Sequence, residues 1–540
     1  MEKASEIGRT AATGSFHLFI GVAASTIIMA IGTIILGRLL TPEEYGLYSI
    51  ALIPTYMMAL FRDWGVNSAI TKYTANLLAQ NKEEEAKAII KSGFLFETAT
   101  GITLSFLLLS FSGYIAESVF KRPESASLMA IASITILAGA ILTAAQSSFI
   151  GFEKMKLHSL TLIFQAIVKS IVSPILVILG FSVLGGVLGY TISFVTTALI
   201  GSAALFLSLL KPLKRLSFGK LNPHITLKKM LGYGVPLSLS SKLTGFLSQF
   251  YAFLMVIHCN NTMVGNYQIA SQFAVLLTFF TTPISIVLFP SFSKVQAEND
   301  HGLLQNVYAS SVKYTALLLM PATMAVMVLS KPMIGTLYGE KYAYAPTFLT
   351  LYVINNLLCA LGSLSLGSFL AGLGETKTQL KLSLLNLTFG IPLALIMIPK
   401  YGIIGLIITG ITAGLPSTFL GLYVAWKNYR AKADLKASTK ITVTAILAAI
   451  VTFLITNWMV HVDWVELAAG IATFISIYML LAPLTGAINH SDINNLRIMF
   501  SDMGLISKIL NIPLAALEKL ANTMKGDITN FKKAPYKSKS

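Results

Sequence analysis

The sequence predicts an all-α, polytopic membrane protein of about fourteen transmembrane helices, arranged as two six-helix lobes with two extra C-terminal helices. The first observation is composition: 55% of the 540 residues are hydrophobic and 12% are charged, with a mean hydropathy of +0.72. An ordinary soluble domain does not have this composition. The second is a series of apolar runs of about 20 residues, the length that a helix needs to cross a bilayer. The third is an internal repeat.

The apolar runs define the predicted helices in chain order. They lack the alternation of apolar and polar residues that is typical of barrel strands, so we interpret them as helices. The first run is longer than a signal-peptide core, and we expect it to be retained. The predicted spans are 15 to 36, 45 to 63, 93 to 112, 128 to 150, 159 to 180, 184 to 210, 232 to 257, 264 to 290, 308 to 330, 346 to 370, 381 to 398, 403 to 426, 441 to 460 and 464 to 487.

The repeat predicts how the helices are arranged. Tyr45-Gly-Leu-Tyr-Ser-Ile-Ala51 returns as Val264-Gly-Asn-Tyr-Gln-Ile-Ala270, which keeps Gly-x-Tyr-x-Ile-Ala. The copies lie in the second and eighth spans, and because their span numbers differ by an even number, both copies have the same orientation. Repeats in the same orientation are related by an axis along the membrane normal. The sequence therefore predicts two lobes related by a pseudo-two-fold axis, facing each other across a central cavity.

Charge predicts the orientation. With the N-terminus inside, most of the 40 Lys and Arg fall in inner loops, so we expect both termini to be cytoplasmic. This topology accounts for the net charge of +17, and we expect no nucleic-acid partner. The predicted segments are a cytoplasmic N-terminus (1–14), an N-terminal lobe (15–210), a basic linker (211–231), a C-terminal lobe (232–426), a basic loop (427–440), an extra helix pair (441–487) and an amphipathic, basic cytoplasmic tail (488–540).

Several short motifs resemble a known family of transporters. They are Leu39-Leu-Thr-Pro-Glu-Glu-Tyr-Gly46, Phe61-Arg-Asp-Trp-Gly65, Val264-Gly-Asn-Tyr267, Leu288-Phe-Pro-Ser-Phe-Ser293 and Ile398-Pro-Lys-Tyr-Gly-Ile-Ile-Gly405. In their order and spacing, over about residues 8 to 490, they resemble the Wzx-type flippases of the multidrug/oligosaccharidyl-lipid/polysaccharide superfamily. The resemblance implies a flippase that moves an oligosaccharide on a polyprenyl diphosphate from the cytoplasmic to the outer leaflet by alternating access. Such a flippase serves the assembly of a cell-surface polysaccharide or a glycoprotein glycan.

An anionic diphosphate carried across a membrane needs fixed positive charge in a shielded polar path. Lys169 lies in the middle of the fifth span and Lys242 in the seventh. We expect both to contact the headgroup. The alternative for Lys169 is an ion pair between helices, for example with Glu97, and the alternative for Lys242 is extension of its ammonium group to the membrane surface.

Polar neighbours extend these two positions. Gln165 lies one helical turn before Lys169 on the same face, and Gln249 lies two turns after Lys242. Asn355 and Asn356 are further candidates for contacts with sugar hydroxyls, with hydrogen bonds between helices as their alternative. Related flippases often have an acidic residue near the position of Gln249, and its absence here leaves any ion-coupling mechanism taken from them without support.

Three charged residues near the inner surface are candidates for a gate or for ion coupling. We expect Arg62 with Asp63 to be a structural pair or a gate at the cytoplasmic mouth rather than a direct ligand of the substrate. Glu97, inside the third span, is either a proton or sodium site or one member of an ion pair.

Three other functions are alternatives to the flippase. A drug or cation exporter of the same superfamily predicts acidic residues in the cavity, and a scaffold for glycan enzymes leaves Lys169 without a role. A membrane-embedded glycan polymerase or ligase generally needs a substantial extramembrane region or clustered acidic and basic residues at the outer face, and the outer face here has only scattered charges. The sequence has no phosphate-binding Gly-rich loop, which argues against a built-in ATPase. We therefore expect no enzyme, no cofactor and no metal. The expected partners are lipid-linked oligosaccharide, membrane lipids and glycosyltransferases of the same pathway, around a monomer in the cell membrane.

Overall fold

The regular structure is helical throughout the part of the chain that the computed structural model describes. That part comprises residues 2–211, 223–275, 300–458 and 462–500, together with positions 277, 292, 515 and 518. The longer helices are α1 (Glu2–Leu39), α2 (Pro42–Leu60), α3 (Val66–Ala79), α4 (Glu83–Tyr114), α5 (Ala126–Gly151), α6 (Met155–Leu176), α7 (Ser182–Ala204), α8 (Pro223–His258), α9 (Asn261–Val275), α10 (His301–Val328), α11 (Ser330–Tyr338), α12 (Ala345–Val353), α13 (Ser363–Gly372), α14 (Thr376–Tyr429), α15 (Leu435–Thr456), α16 (Asp463–Leu484) and α17 (His490–Phe500).

Eight helical segments among the described residues are long and apolar enough to cross a membrane, and a bent pair formed by Ala345–Leu361 and Ser363–Gly372 is a ninth. Two of the eight, Met155–Leu210 and Thr376–Tyr429, contain 56 and 54 residues, more than twice the length of one crossing. Each is interrupted by a glycine with positive φ, Gly180 at 93° and Gly402 at 56°. Each long segment therefore holds two predicted spans, and the all-α membrane architecture is confirmed.

Two sequence predictions fall on other parts of the chain. Residues 278–290 of the eighth span lie outside the described residues, as does the motif around Leu288 apart from Phe292. Positions 212–222 of the basic linker also lie outside them. The amphipathic tail beyond position 500 is outside them too, except for Ala515 and Glu518.

Contacts divide the chain into two compact units. The first comprises Met1–Leu276, Leu337–Phe348 and Lys377–Ser417, and the second comprises Leu277–Thr336, Leu349–Thr376 and Thr418–Ser540. Within the first unit α1 packs along α6, α4 along α5, α7 against both α5 and α6, and α2 against α9. Within the second unit α15 packs against α10 and α16. The division of the sequence into lobes at 211–231 stays a prediction.

A capping box explains the motif at the start of α2. The Thr41 hydroxyl accepts a hydrogen bond from the Glu44 amide at 3.2 Å, and the Glu44 carboxylate accepts one from the Thr41 amide at 2.8 Å. Pro42 occupies the first turn, where its missing N–H has no cost. The other Glu44 oxygen accepts a hydrogen bond from the Ser182 hydroxyl at 2.6 Å, which connects α2 to the start of α7.

The two copies of the repeated motif pack against each other. A Cβ on Gly46 of α2 would overlap the backbone oxygen of Asn261, and a Cβ on Gly265 of α9 would overlap that of Pro42. Gly46 and Gly265 are equivalent in the repeat, and so are Pro42 and Asn261. The contact is therefore reciprocal, as expected for elements related by a two-fold axis. Only glycine allows the two backbones to approach so closely.

This contact predicts a stability effect. We expect Gly46→Ala and Gly265→Ala each to lower the free energy of unfolding by about 1–3 kcal/mol, because each forces α2 and α9 apart. The thermal unfolding midpoint of the purified protein measures the loss. Gly410→Ala in α14 is the matched control, since no atom lies within 4 Å of its added Cβ. A Gly46→Ala variant as stable as Gly410→Ala would contradict the close packing.

Candidate functional site

Two adjoining cavities lie within the first unit, lined by residues of α1, α2, α6, α7, α9 and the end of α11. The unfilled space of the larger, including the part that is open to solvent, is about 1050 Å³, and that of the smaller is about 590 Å³. Both are lined by Met29, Thr33, Tyr56, Lys169 and Gln272. Lys169 is the single charged side chain among the described lining residues of both cavities.

Lys169 is placed at the cavities by α6, where it lies well inside a helix of 22 residues. Its ammonium nitrogen is 5.1 Å from the centre of the Tyr190 ring, a cation–π contact with a buried side chain of α7. Within the described part of the chain, no carboxylate lies within salt-bridge distance of Lys169, and Glu97 pairs elsewhere. The predicted alternative of an ion pair with Glu97 is therefore not formed. An ammonium group that faces a cavity without an anionic partner is suited to bind an anion.

Amide side chains face the same space. Gln165 lines the larger cavity, as its position one turn before Lys169 predicts. Gln272 lines both cavities and Gln268 the smaller one, both on α9. Sequence analysis missed this second pair, although its spacing of four residues is the same signal that identified Gln165.

Aromatic side chains form much of the remaining wall. Tyr56, Tyr190, Phe194 and Tyr338 all line the larger cavity. Tyr190 is buried, at 6% exposure, whereas Tyr56 is 40% exposed. Their rings meet edge to face, with centroids 6.4 Å apart. The cavity thus combines one cation, uncharged hydrogen-bonding groups and aromatic faces, which is typical of a site for a polar organic ligand.

A buried ion pair lies elsewhere in the first unit, beyond the C-terminal end of α2. Arg62 Nε is 3.3 Å from Glu97 Oε2 of α4, and the two side chains are 12% and 0% exposed. This contact lacks hydrogen-bond geometry, so the attraction between these two atoms is ionic. The Arg62 guanidinium also donates to the Thr143 hydroxyl at 3.0 Å.

The neighbouring polar groups complete this cluster. Asn67 of α3 donates to Glu97 Oε1 at 3.1 Å. Asp63 instead accepts hydrogen bonds from the backbone amides of Gly65 at 2.8 Å and Asn67 at 3.3 Å, which satisfies free N–H groups at the start of α3. Arg62 is therefore paired with Glu97, and Asp63 orders the turn between α2 and α3.

Lys242 contacts the same region rather than the cavities. Its ammonium group donates at 2.7 Å to the carbonyl oxygen of Leu60, in the last turn of α2. A cation at this position interacts favourably with the free carbonyls of a helix C-terminus. Lys242 does not line either cavity among their described residues, so the structure does not bring it together with Lys169.

The other predicted binding residues are not among the described residues that line the two cavities. Gln249 is half-buried on α8, two turns from Lys242. Asn355 and Asn356 belong to the second unit, on the short 3-10 segment Ile354–Leu361, where Asn355 is exposed and Asn356 half-buried.

Comparison with known proteins supplies a family. Residues 35–346 match the model of a family described as polysaccharide biosynthesis protein. The chain is 23% identical over 412 residues to the lipopolysaccharide biosynthesis protein WzxC of Escherichia coli (strain K12), covering 75% of this chain and 79% of that protein.

Solved structures with a similar fold include the lipid II flippase MurJ in an inward closed conformation. Its TM-score is 0.69 at 17% identity, covering 86% of this chain and 98% of that one. An inward-facing multidrug resistance MATE family transporter of the MOP superfamily has a TM-score of 0.60 at 16% identity, covering 79% and 99%. At these identities the likeness establishes the fold.

Proposed function

The chain belongs to the polysaccharide biosynthesis protein family, and from this premise we propose that it is a flippase for a lipid-linked oligosaccharide. It moves a glycan carried on a polyprenyl diphosphate from the cytoplasmic to the outer leaflet by alternating access. The glycan is used for a cell-surface polysaccharide or a glycoprotein.

The observation that carries this proposal is the unpaired ammonium group of Lys169 in a cavity without a described carboxylate. A diphosphate is anionic, and a charge-assisted hydrogen bond to a lysine in a low-dielectric site offsets part of the cost of removing it from water. Gln165, Gln268 and Gln272 offer donors and acceptors for sugar hydroxyls.

The same cavity disfavours a drug or cation exporter. A binding site for an organic cation contains a carboxylate or is at least uncharged. Here the charged group of the described lining is the ammonium group of Lys169. Like charges brought together in a low-dielectric site repel each other. The MATE transporter has a similar fold, but a similar fold is no evidence that this chain transports the same substrate.

The protein is a multi-pass membrane protein, and we propose that both termini are cytoplasmic, because most Lys and Arg lie in loops on that side. In this orientation the Arg62–Glu97 cluster and Lys242 lie toward the cytoplasmic end, where they form part of a gate. We further propose that the protein acts as a monomer beside the glycosyltransferases of its pathway, and that it catalyses no reaction.

The sidedness of the lipid-linked oligosaccharide tests the function. In cells lacking the protein, we expect the glycolipid to accumulate in the cytoplasmic leaflet. A membrane-impermeant sugar oxidant should then reach it in inside-out vesicles and not in intact spheroplasts. The control is a plasmid copy of the wild-type gene, which should restore oxidation of the glycolipid in intact spheroplasts. If glycolipid reaches the outer leaflet at the wild-type rate in deleted cells without a second flippase, the proposal is wrong.

A further inference from the structure

We propose that α2 and α9 form a sugar-reading wall in which the ring of Tyr56 supports the first sugar and Gln268 and Gln272 bind its hydroxyls. The inference rests on the proposed flippase function and adds to it the moiety that is recognised. It also commits to the class of sugar: the residue joined to the diphosphate is uncharged.

The internal repeat shows that the wall has two equivalent halves. Ser49 of α2 and Gln268 of α9 occupy the same repeat position, and both line the smaller cavity. Tyr56 and Val275 also occupy one repeat position, and both line the larger cavity. The cavities therefore lie between repeat-related helices, close to the axis that relates the reciprocal contact of Gly46 and Gly265.

The two halves differ in chemistry although their backbones are equivalent. On the α2 side Tyr56 is an aromatic face 40% exposed, supported by the buried Tyr190 ring. On the α9 side, Gln268 and Gln272 project from one face of the helix, one turn apart. A pyranose ring has an apolar face of C–H groups and an edge of hydroxyls, and such a ligand fits between an aromatic face and a pair of amides.

Charge selects the kind of sugar. Lys169 is the single cation of the described lining and lies on α6, beside the same cavities. The diphosphate carries more negative charge than the single ammonium group of Lys169 can neutralise. The carboxylate of an acidic sugar would therefore be left in the cavity without a cationic partner, which is costly. An uncharged sugar leaves no such group unpaired.

Binding to purified protein in lipid nanodiscs tests the inference with three probes. They are polyprenyl diphosphate, the same lipid carrying one N-acetylglucosamine, and the same lipid carrying one glucuronic acid. We expect the wild type to bind the N-acetylglucosamine probe at least tenfold more tightly than either other probe. Tyr56→Ala should weaken binding of that probe about tenfold and Gln272→Leu about fivefold, with binding of the sugar-free lipid changed less than twofold.

The controls separate recognition from folding and from the flippase proposal. Tyr56→Phe keeps the aromatic face and should recover most of the binding that Tyr56→Ala loses. Tyr114→Ala, which removes an exposed tyrosine of α4 outside the described cavity lining, should bind the probes like the wild type. Equal loss of all three probes in Tyr56→Ala, or no loss, overturns the sugar-reading wall. Equal wild-type affinity for sugar-free and sugar-bearing lipid also overturns it and leaves the flippase standing, whereas wild-type binding of no probe overturns both.

Discussion

Replacing Lys169 with alanine is expected to abolish complementation of a deletion strain without lowering the amount of folded protein. The ammonium group has no described anionic partner, so its removal leaves no buried carboxylate unpaired. A lysine near a helix centre costs roughly 2.5–3.5 kcal/mol to insert, so its loss does not penalise the fold. Each charge-assisted hydrogen bond to the diphosphate contributes about 1.5–3 kcal/mol, and losing one lowers affinity by about 10- to 100-fold.

Two further variants make this result specific. Lys156→Ala removes an exposed lysine from the first turn of the same helix and should support normal complementation. Lys169→Arg keeps the charge but changes its shape, and we expect partial activity. The measurements are complementation of glycan assembly and the amount of protein in the membrane. Full activity of Lys169→Ala at a normal protein level would remove Lys169 from the transport path.

The second large effect is expected at the buried ion pair. Arg62→Leu should lower the free energy of unfolding by about 3–5 kcal/mol, because it leaves the fully buried Glu97 carboxylate without its cation. Adding Glu97→Gln to this variant should recover most of the loss. The glutamine is neutral, and its oxygen can still accept the hydrogen bond from Asn67. The thermal unfolding midpoint of the purified variants measures both steps.

An exposed pair serves as the comparison. Lys82 and Glu85 are 3.9 Å apart with side chains 50% and 48% exposed, so Glu85→Gln should change stability by less than about 1 kcal/mol. If Arg62→Leu and the double variant unfold at the same temperature, the charge left on Glu97 is not the cause of the instability. The transport rate of the double variant tests the proposed gate. A normal transport rate would show that Arg62 is not needed for gating.

Much of the fold follows from local sequence properties. The length and apolarity of the runs predict the helices, because a single apolar segment in lipid can pair its own backbone groups only as a helix. The repeat around Gly46 and Gly265 predicts two equivalent elements, and the structure adds that these two copies touch. The sequence could not show this contact, since a glycine that permits a close approach looks the same as one that does not.

The site was only partly predictable. Lys169 and Gln165 were identified because a lysine inside an apolar helix is conspicuous and helical spacing gives its neighbours. Tyr56, Gln268 and Gln272 were missed, because tyrosine and glutamine are ordinary residues in membrane helices until several converge on one space.

The sequence by itself determined the membrane environment, the helices, the duplicated scaffold and the embedded cation, because each depends on residues near one another in the chain. Only the tertiary structure decided the partners: Arg62 rather than Lys169 for Glu97, the α2 carbonyl of Leu60 for Lys242, and an aromatic wall beside Lys169. Charged side chains in a low-dielectric interior take whichever partner helix packing brings within reach, and helix packing depends on surfaces far apart in sequence.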